Sequence, residues 1–518
     1  ELKFIYGMKR KSINFAKIGI FLILLLSIWN ITFTVLKKPK SEDWDSSGFS
    51  YVYNNKDYYD TIFIGTSMVV TNINLEELYL NYGITGVTLG EPEQPTYLSY
   101  YNLLEALKYQ NPKAVFFDVQ SLFYTVDSIT EKMRGNEHHH VHLSLDGMKN
   151  NETKYNAVEQ ARELVPELDY WNYFSSAYYS HNNWEDLTER NFTRASGKYI
   201  MNGNLVNFVT YENAERINDI YDIENDGKEE EIPDFNYKYL EKIIDLCKEK
   251  NVELVLLRGS EMLDWNWNRY NTIKRIADEN QLQYFDTNIL EKQIGFDWSV
   301  DSIDGNHHNI SGARKWTNFI GDYLVGQYQF ENIDNDESYF QQEKEKYECW
   351  IQGMETKKKL LNALDYEQYL KVLNECKDDD NIIFISVNSG EEEKTRMLQM
   401  LLEKAEISGT VDSGSIAVVE KFSVLKENED DENKIEGKIS QNIPYIFEVV
   451  DNVAKLNINN QDIEINDTGI NIVVYNKNIQ DTISKVYFDS SENNNPCTSR
   501  IVNGLRQYEE STNNWVTY

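Results

Sequence analysis

Between residues 61 and 325 short apolar runs alternate with amphipathic stretches, and this alternation limits the fold more than any other property of the chain. TIFIG (61–65) and GVTL (86–89) read as strands, the second ending on Gly90. QPTYLSYYNLLEALKYQNP (94–112) has helical periodicity and stops at Asn111-Pro112. Proline disfavours helical backbone in the residue before it. KAVFFDV (113–119) is a near-continuous apolar strand of the kind buried on both faces in parallel sheets. The same order then recurs in NYKYLEKIIDLCKEKN (236–251), VELVLLR (252–258), WNRYNTIKRIADEN (267–280), LQYFD (282–286) and SGARKWTNFIGDYLV (311–325). Strands that alternate with helices predict an α/β unit, a parallel sheet covered on both faces.

At 518 residues the chain is long enough for two or three domains. Residues 18–36, IGIFLILLLSIWNITFTVL, carry no charge over 19 positions. A helix of that length spans about 28 Å, close to the hydrocarbon thickness of a bilayer. Lys9, Arg10, Lys11 and Lys17 precede it, and Lys37, Lys38 and Lys40 follow. No small-residue cleavage site follows, so 8–40 reads as an uncleaved membrane anchor with Met8 as its natural start. The basic flank predicts a single-pass protein with its amino terminus cytoplasmic and the rest outside. Residues 41–60 are a polar stalk, and 61–330 are the α/β domain, interrupted by an insertion at about 121–235. A charged helical linker, 331–360, leads to a second, smaller α/β module at 361–495 and a tail at 496–518.

The net charge of −34 argues against nucleic acid, whose binders carry basic patches. Cys247, Cys349, Cys376 and Cys497 form no C-x-x-C pair, so neither a zinc knuckle nor a redox motif is present. Cys247 lies in a helical pattern and is expected to be buried.

Chemistry is concentrated in two stretches. Gly65-Thr66-Ser67 ends the first strand and sets a serine hydroxyl on a turn at the carboxyl edge of the sheet, where open α/β sheets bind ligands. VDSIDGNHHNISGARKW supplies Asp304 and His307, spaced D-x-x-H just before a helix. A serine needs a base to take its proton, and the base needs an orienting carboxylate. The oxyanion formed on attack needs preorganised donors, for which the N–H groups of Ser67 and Gly90 are the natural pair. His308 is the rival base; the D-x-x-H spacing favours His307. His181 and Trp184, in YYSHNNW, are candidate substrate contacts, with a packing role for the histidine as the alternative. His138, His139, His140 and His142 have no acidic or cysteine partner at ligand spacing, so no metal is expected.

GTSMV, the LG of VTLGEP, and DGNHHNISGA resemble the first, second and fifth blocks of the SGNH (GDSL-like) hydrolase superfamily. The resemblance covers about residues 58–328 and implies a flavodoxin-like α/β/α sandwich. It also implies Ser67 as nucleophile, Gly90 as an oxyanion donor, Asp304 as orienter and His307 as base. The family's third block ends on an asparagine that completes the oxyanion hole. Here the strand leads into Gln120-Ser121-Leu122, leaving Gln94 or Gln120 as candidates for that place. EQPTYLSYYNLLEALKYQNPKAVFFDV and YYSHNNW resemble membrane-anchored envelope proteins of this superfamily that work beside a membrane-bound O-acyltransferase. SIAVVE and GINIVVYNKNIQDTISKVYFDS resemble the interleukin-like EMT inducer domain, which implies carbohydrate binding. Together these resemblances imply a cofactor-free, membrane-anchored extracytoplasmic esterase or O-acyltransferase acting on acyl groups of a cell-envelope glycan. The alternative is an inactive surface scaffold that holds glycan.

Overall fold

The computed structural model describes residues 48–134, 139–175, 224–260, 265–330, 337–361, 366–375, 380–388, 401–403, 405–408, 416–420, 423–424, 434–440, 443–451, 453–463, 469–488, 499–500, 506–509 and 514–517. It also describes parts of 17–36 and the short pieces 178, 183–185, 200–201, 204–205, 363 and 465. The chain divides into two compact units, 1–333 and 334–518.

In the first unit five parallel strands form one sheet: β1 (Thr61–Gly65), β2 (Gly86–Gly90), β3 (Ala114–Asp118), β4 (Glu253–Arg258) and β5 (Gln283–Asp286). Their order is β2–β1–β3–β4–β5, the flavodoxin-like arrangement. Successive side chains of a strand point to opposite faces, and both faces here are apolar. Ile62, Ile64, Val115, Phe117, Leu254 and Leu256 pack under α3 (Thr96–Ala106), α4 (Asp234–Lys250) and α5 (Trp267–Asn280). Phe63, Phe116, Val255 and Leu257 pack against α1 (Ser67–Thr71), α2 (Leu75–Tyr82) and α6 (Ile310–Gln327), with Trp316, Ile320 and Leu324 fully covered. Each large apolar side chain so buried contributes about 1.5–3 kcal/mol. That layer of burial is why the apolar runs had no polar alternation to show.

The insertion interrupts the strand–helix alternation. Its first half is helical, with helices at Val126–Arg134, His139–Leu145 and Glu152–Leu164. Ile129, Met133, Val141, Leu145, Val158 and Ala161 join the core on the α3 face. Cys247 is buried in α4, and burial pushes its thiol up to about 12.

The second unit is largely sheet. A six-stranded antiparallel sheet is centred on Asn381–Asn388 and Gly469–Asn476. One face, with Ile383, Ile385 and Ile472, packs on Leu360, Tyr369 and Leu373. The other, with Ile382, Phe384 and Val473, packs on a four-stranded meander through Tyr445 and Phe447. The helix Glu337–Leu361, expected as a linker, belongs to this unit and buries Tyr347 and Trp350. Among the described residues no helix is long and apolar enough to cross a membrane, and only parts of 18–36 are described.

Candidate active site

The sheet brings chemistry to its carboxyl edge. β1 ends on Gly65 with φ +139°, and a Cβ there would lie 2.6 Å from Asp118 Cβ. Glycine is therefore required both by backbone and by space. Thr66 then caps α1, its hydroxyl accepting from the N–H of Met68 at 3.4 Å. Ser67 follows as the first residue of that helix, beside the β1/β3 switch point of the sheet.

The partner stretch is a tight loop closed by a bridge between Ser302 and His308. Ile303 N–H donates to the His307 carbonyl at 2.9 Å, and Gly305 N–H donates to Ser302 Oγ at 2.9 Å. Gly305 has φ +88°, which the turn needs. Asp304 Oδ1 accepts the N–H groups of Asn306 and His307, each at 2.9 Å. Asn309 closes the loop as the cap of α6, its Oδ1 accepting from Ser311 N–H (2.9 Å) and Gly312 N–H (3.2 Å).

This geometry brings Ser67, His307 and Asp304 into one hydrogen-bonded chain across 240 residues of sequence. Ser67 Oγ lies 2.8 Å from His307 Nε2, and His307 Nδ1 lies 2.7 Å from Asp304 Oδ2. The imidazole is a quarter exposed, so a substrate can reach it. Burial pulls the Asp304 carboxyl up, but the His307 imidazole and the two backbone N–H groups outweigh it and hold it at about 2. Asp304 is ionised wherever a serine–histidine pair can work.

His308 is elsewhere. Its ring is 1% exposed, rests against Phe296 at 4.7 Å, and has no hydrogen-bond partner on either nitrogen among the described residues. Burial first, then the charges of His307 and Arg258, push it down to about 3. The loop is tied to α1 through the backbone instead: His308 N–H donates to Asn72 Oδ1 at 2.9 Å. Asn72 thus links the serine helix to the histidine loop. No spacing rule pointed to it.

The oxyanion candidates separate. Gly90 ends β2 opposite Gly65, and a Cβ on it would meet Val69 Cγ2 at 2.4 Å. Its glycine is explained by that packing. Glu91 N–H donates to the Gly65 carbonyl at 3.2 Å. Gly90 thus stands at the end of the strand beside the turn that carries Ser67. Gln94 is fully buried and donates to the Leu89 carbonyl (3.2 Å) and Ser99 Oγ (2.9 Å), which uses its amide locally. Gln120 differs: its Oε1 accepts from Thr66 Oγ1 at 3.1 Å, on the residue before the serine.

His181 and His138 lie outside the described residues, as do the side chains of His139 and His140. Trp184 is 61% exposed in the short turn Asn183–Glu185. His142 stacks on Tyr173 at 4.4 Å and lies 2.8 Å from Asp146 Oδ1, which accounts for it as a packed residue. Among the described residues no group of three His, Cys, Asp or Glu side chains is arranged to hold a metal ion.

A row of charges beneath the edge was missed by motif reading. Asp118, Arg258 and Asp286 end β3, β4 and β5, adjacent strands. Arg258 Nη1 lies 3.6 Å from Asp118 Oδ1, and the two side chains are 0% and 1% exposed. Asp286 accepts from Trp265 Nε1 at 2.7 Å and from the Tyr284 hydroxyl at 2.9 Å, and burial pushes its carboxyl upward. The signal available was a charge at the end of each of three apolar runs, FFD, VLLR and YFD.

No protein-family model matches the chain, and no curated protein does. A candidate acylhydrolase from Bacteroides fragilis is 12% identical, with a TM-score of 0.24 over 51% of this chain and 86% of that one. A GDSL-like lipase from Bacteroides thetaiotaomicron is 10% identical, with a TM-score of 0.24 over 54% of this chain and 98% of that one.

Proposed function

We propose that this chain is a serine acyl-ester enzyme, and that its substrate is an acylated cell-envelope glycan outside a membrane. The observation that carries the reading is the run of hydrogen-bonded side chains from Ser67 through His307 to Asp304, at 2.8 and 2.7 Å. Ser67 Oγ attacks the ester carbonyl while His307 Nε2 takes its proton. Asp304 holds the imidazole and stabilises its charged form. The N–H of Ser67 and the amide nitrogen of Gln120 face the developing oxyanion. When the C–O bond breaks, His307 returns the proton to the leaving alcohol, leaving an acyl-serine. Water then releases the acid, or a sugar hydroxyl accepts the acyl group. The reading asks for no cofactor.

Several observations support its setting. Ile20 to Leu26, Ile28, Trp29 and Ile31 are exposed apolar side chains, as an anchoring helix would have them. With the amino terminus cytoplasmic, everything after about residue 40 lies outside, and a membrane-bound O-acyltransferase is the partner that would deliver acyl groups. Trp171, Tyr178 and Trp184 are exposed aromatic side chains, of a kind that stacks on sugar rings. The second unit serves glycan holding. Turnover of an acetyl ester by the full chain tests the chemistry: Ser67→Ala is expected to reduce it to background. Unchanged turnover would reject the enzyme in favour of a glycan-binding scaffold. Protease added to wall-free cells is expected to digest both units, and full protection would reject the topology.

A further inference from the structure

We propose that the buried Asp118–Arg258 pair is the positioning device of the nucleophile turn, acting on Ser67 through Thr66. This rests on the reading of Ser67 as nucleophile but not on any choice of substrate.

The need for such a device follows from the turn itself. Gly65 has left the extended conformation at φ +139°, and α1 is only five residues long. A helix that short is not self-supporting. Some group outside the local chain must fix where Ser67 Oγ stands. Asp118 is that group. Its Oδ2 accepts the main-chain N–H of Thr66 at 3.3 Å and also receives the Thr66 hydroxyl. The same carboxylate accepts Gln120 N–H on Oδ1 at 3.3 Å. The Thr66 hydroxyl is shared onward to Gln120 Oε1 at 3.1 Å. One carboxylate therefore fixes the residue before the nucleophile and the only glutamine left as an oxyanion candidate.

A carboxylate 1% exposed would be costly without a compensating charge. Arg258 supplies it from the next strand, itself held against the ring of Trp265 at 4.8 Å. The strands fix this arrangement: β3 neighbours β1 on one side and β4 on the other. The groups facing the pair are Thr66 and Gln120 above Asp118, with Asp286 and His308 within the field of Arg258. Asp118 and Arg258 act on Ser67 through Thr66 and so are positioning residues, not catalytic ones.

The test uses the full chain, with Thr66→Val, Thr66→Ser and Asp118→Asn variants. Circular dichroism and thermal melting establish which are folded. Thr66→Val keeps the buried ion pair intact, so it serves if Asp118→Asn does not fold. The readout specific to positioning is the ¹⁵N chemical shift of His307 Nε2 at one fixed pH, which reports the hydrogen bond from Ser67. In Thr66→Val the shift is expected to move to the value found in Ser67→Ala, and in Thr66→Ser to stay at the wild-type value. The rate of Ser67 modification by a fluorophosphonate is expected to fall 10- to 100-fold in Thr66→Val and less than threefold in Thr66→Ser. A folded Thr66→Val chain with the wild-type Nε2 shift would overturn the proposal. Failure of the enzyme reading shows differently, as absence of labelling in the wild type itself, while the shift still decides the positioning.

Discussion

The D-x-x-H spacing of Asp304 and His307 makes a local turn, in which Asp304 Oδ1 accepts the His307 N–H and Oδ2 lies 2.7 Å from His307 Nδ1. Replacing Asp304 by Asn removes both the charge and the tautomer control. Turnover is expected to fall on the order of 10³–10⁴-fold, measured as kcat on an acetyl ester. His307→Gln is expected to abolish it, whereas His308→Gln is expected to retain most of it. The two histidines differ also in what they do to stability. An unfolded imidazole takes a proton near pH ~6.5, but His308 in the fold does so only at about 3. Between those values the unfolded chain holds more protons, so stability falls as pH falls. His308→Gln removes that contribution, worth up to about 1.4 kcal/mol per pH unit. Urea midpoints at pH 7 and pH 4.5 are expected to differ less in the variant than in the wild type. An equal difference would contradict the neutral, buried His308.

At the scale of elements, the strands were readable because burial on both faces makes each an apolar run. What joins them was not. The ion pair of Asp118 with Arg258 depends on β3 lying beside β4, and no local pattern encodes a neighbour 140 residues away. The insertion helices escaped notice because their apolar residues, such as Ile129 and Val158, are spread thinly among charged ones. Two substitutions probe the elements that carry the site. Gly65→Ala forces φ +139° on an alanine and a 2.6 Å contact with Asp118 Cβ. The expected loss is roughly 2–5 kcal/mol from strain and overpacking together, read by urea unfolding. Asn309→Ala removes two accepting contacts at the start of α6 and is expected to cost roughly 0.5–2 kcal/mol. Because that cap also closes the histidine loop, turnover should fall with it.

Over the whole molecule, each unit has its own core, which separates stability from chemistry. Phe384 is 1% exposed between Tyr445 and Phe447 in the second unit, at 5.1 and 5.8 Å. Phe384→Ala is expected to destabilise that unit by roughly 3–5 kcal/mol while leaving the ester turnover of the first unchanged. A parallel loss of turnover would show the units to be coupled. The central claim, that Ser67 is an activated nucleophile, is met most directly by a fluorophosphonate probe. Full-length protein is incubated with the probe, and the adduct is located by mass spectrometry. The expected result is one adduct per chain, on Ser67, lost in Ser67→Ala and strongly slowed in His307→Gln. Folded wild-type protein that takes up no probe, or takes it up at another residue at an equal rate, would contradict the account.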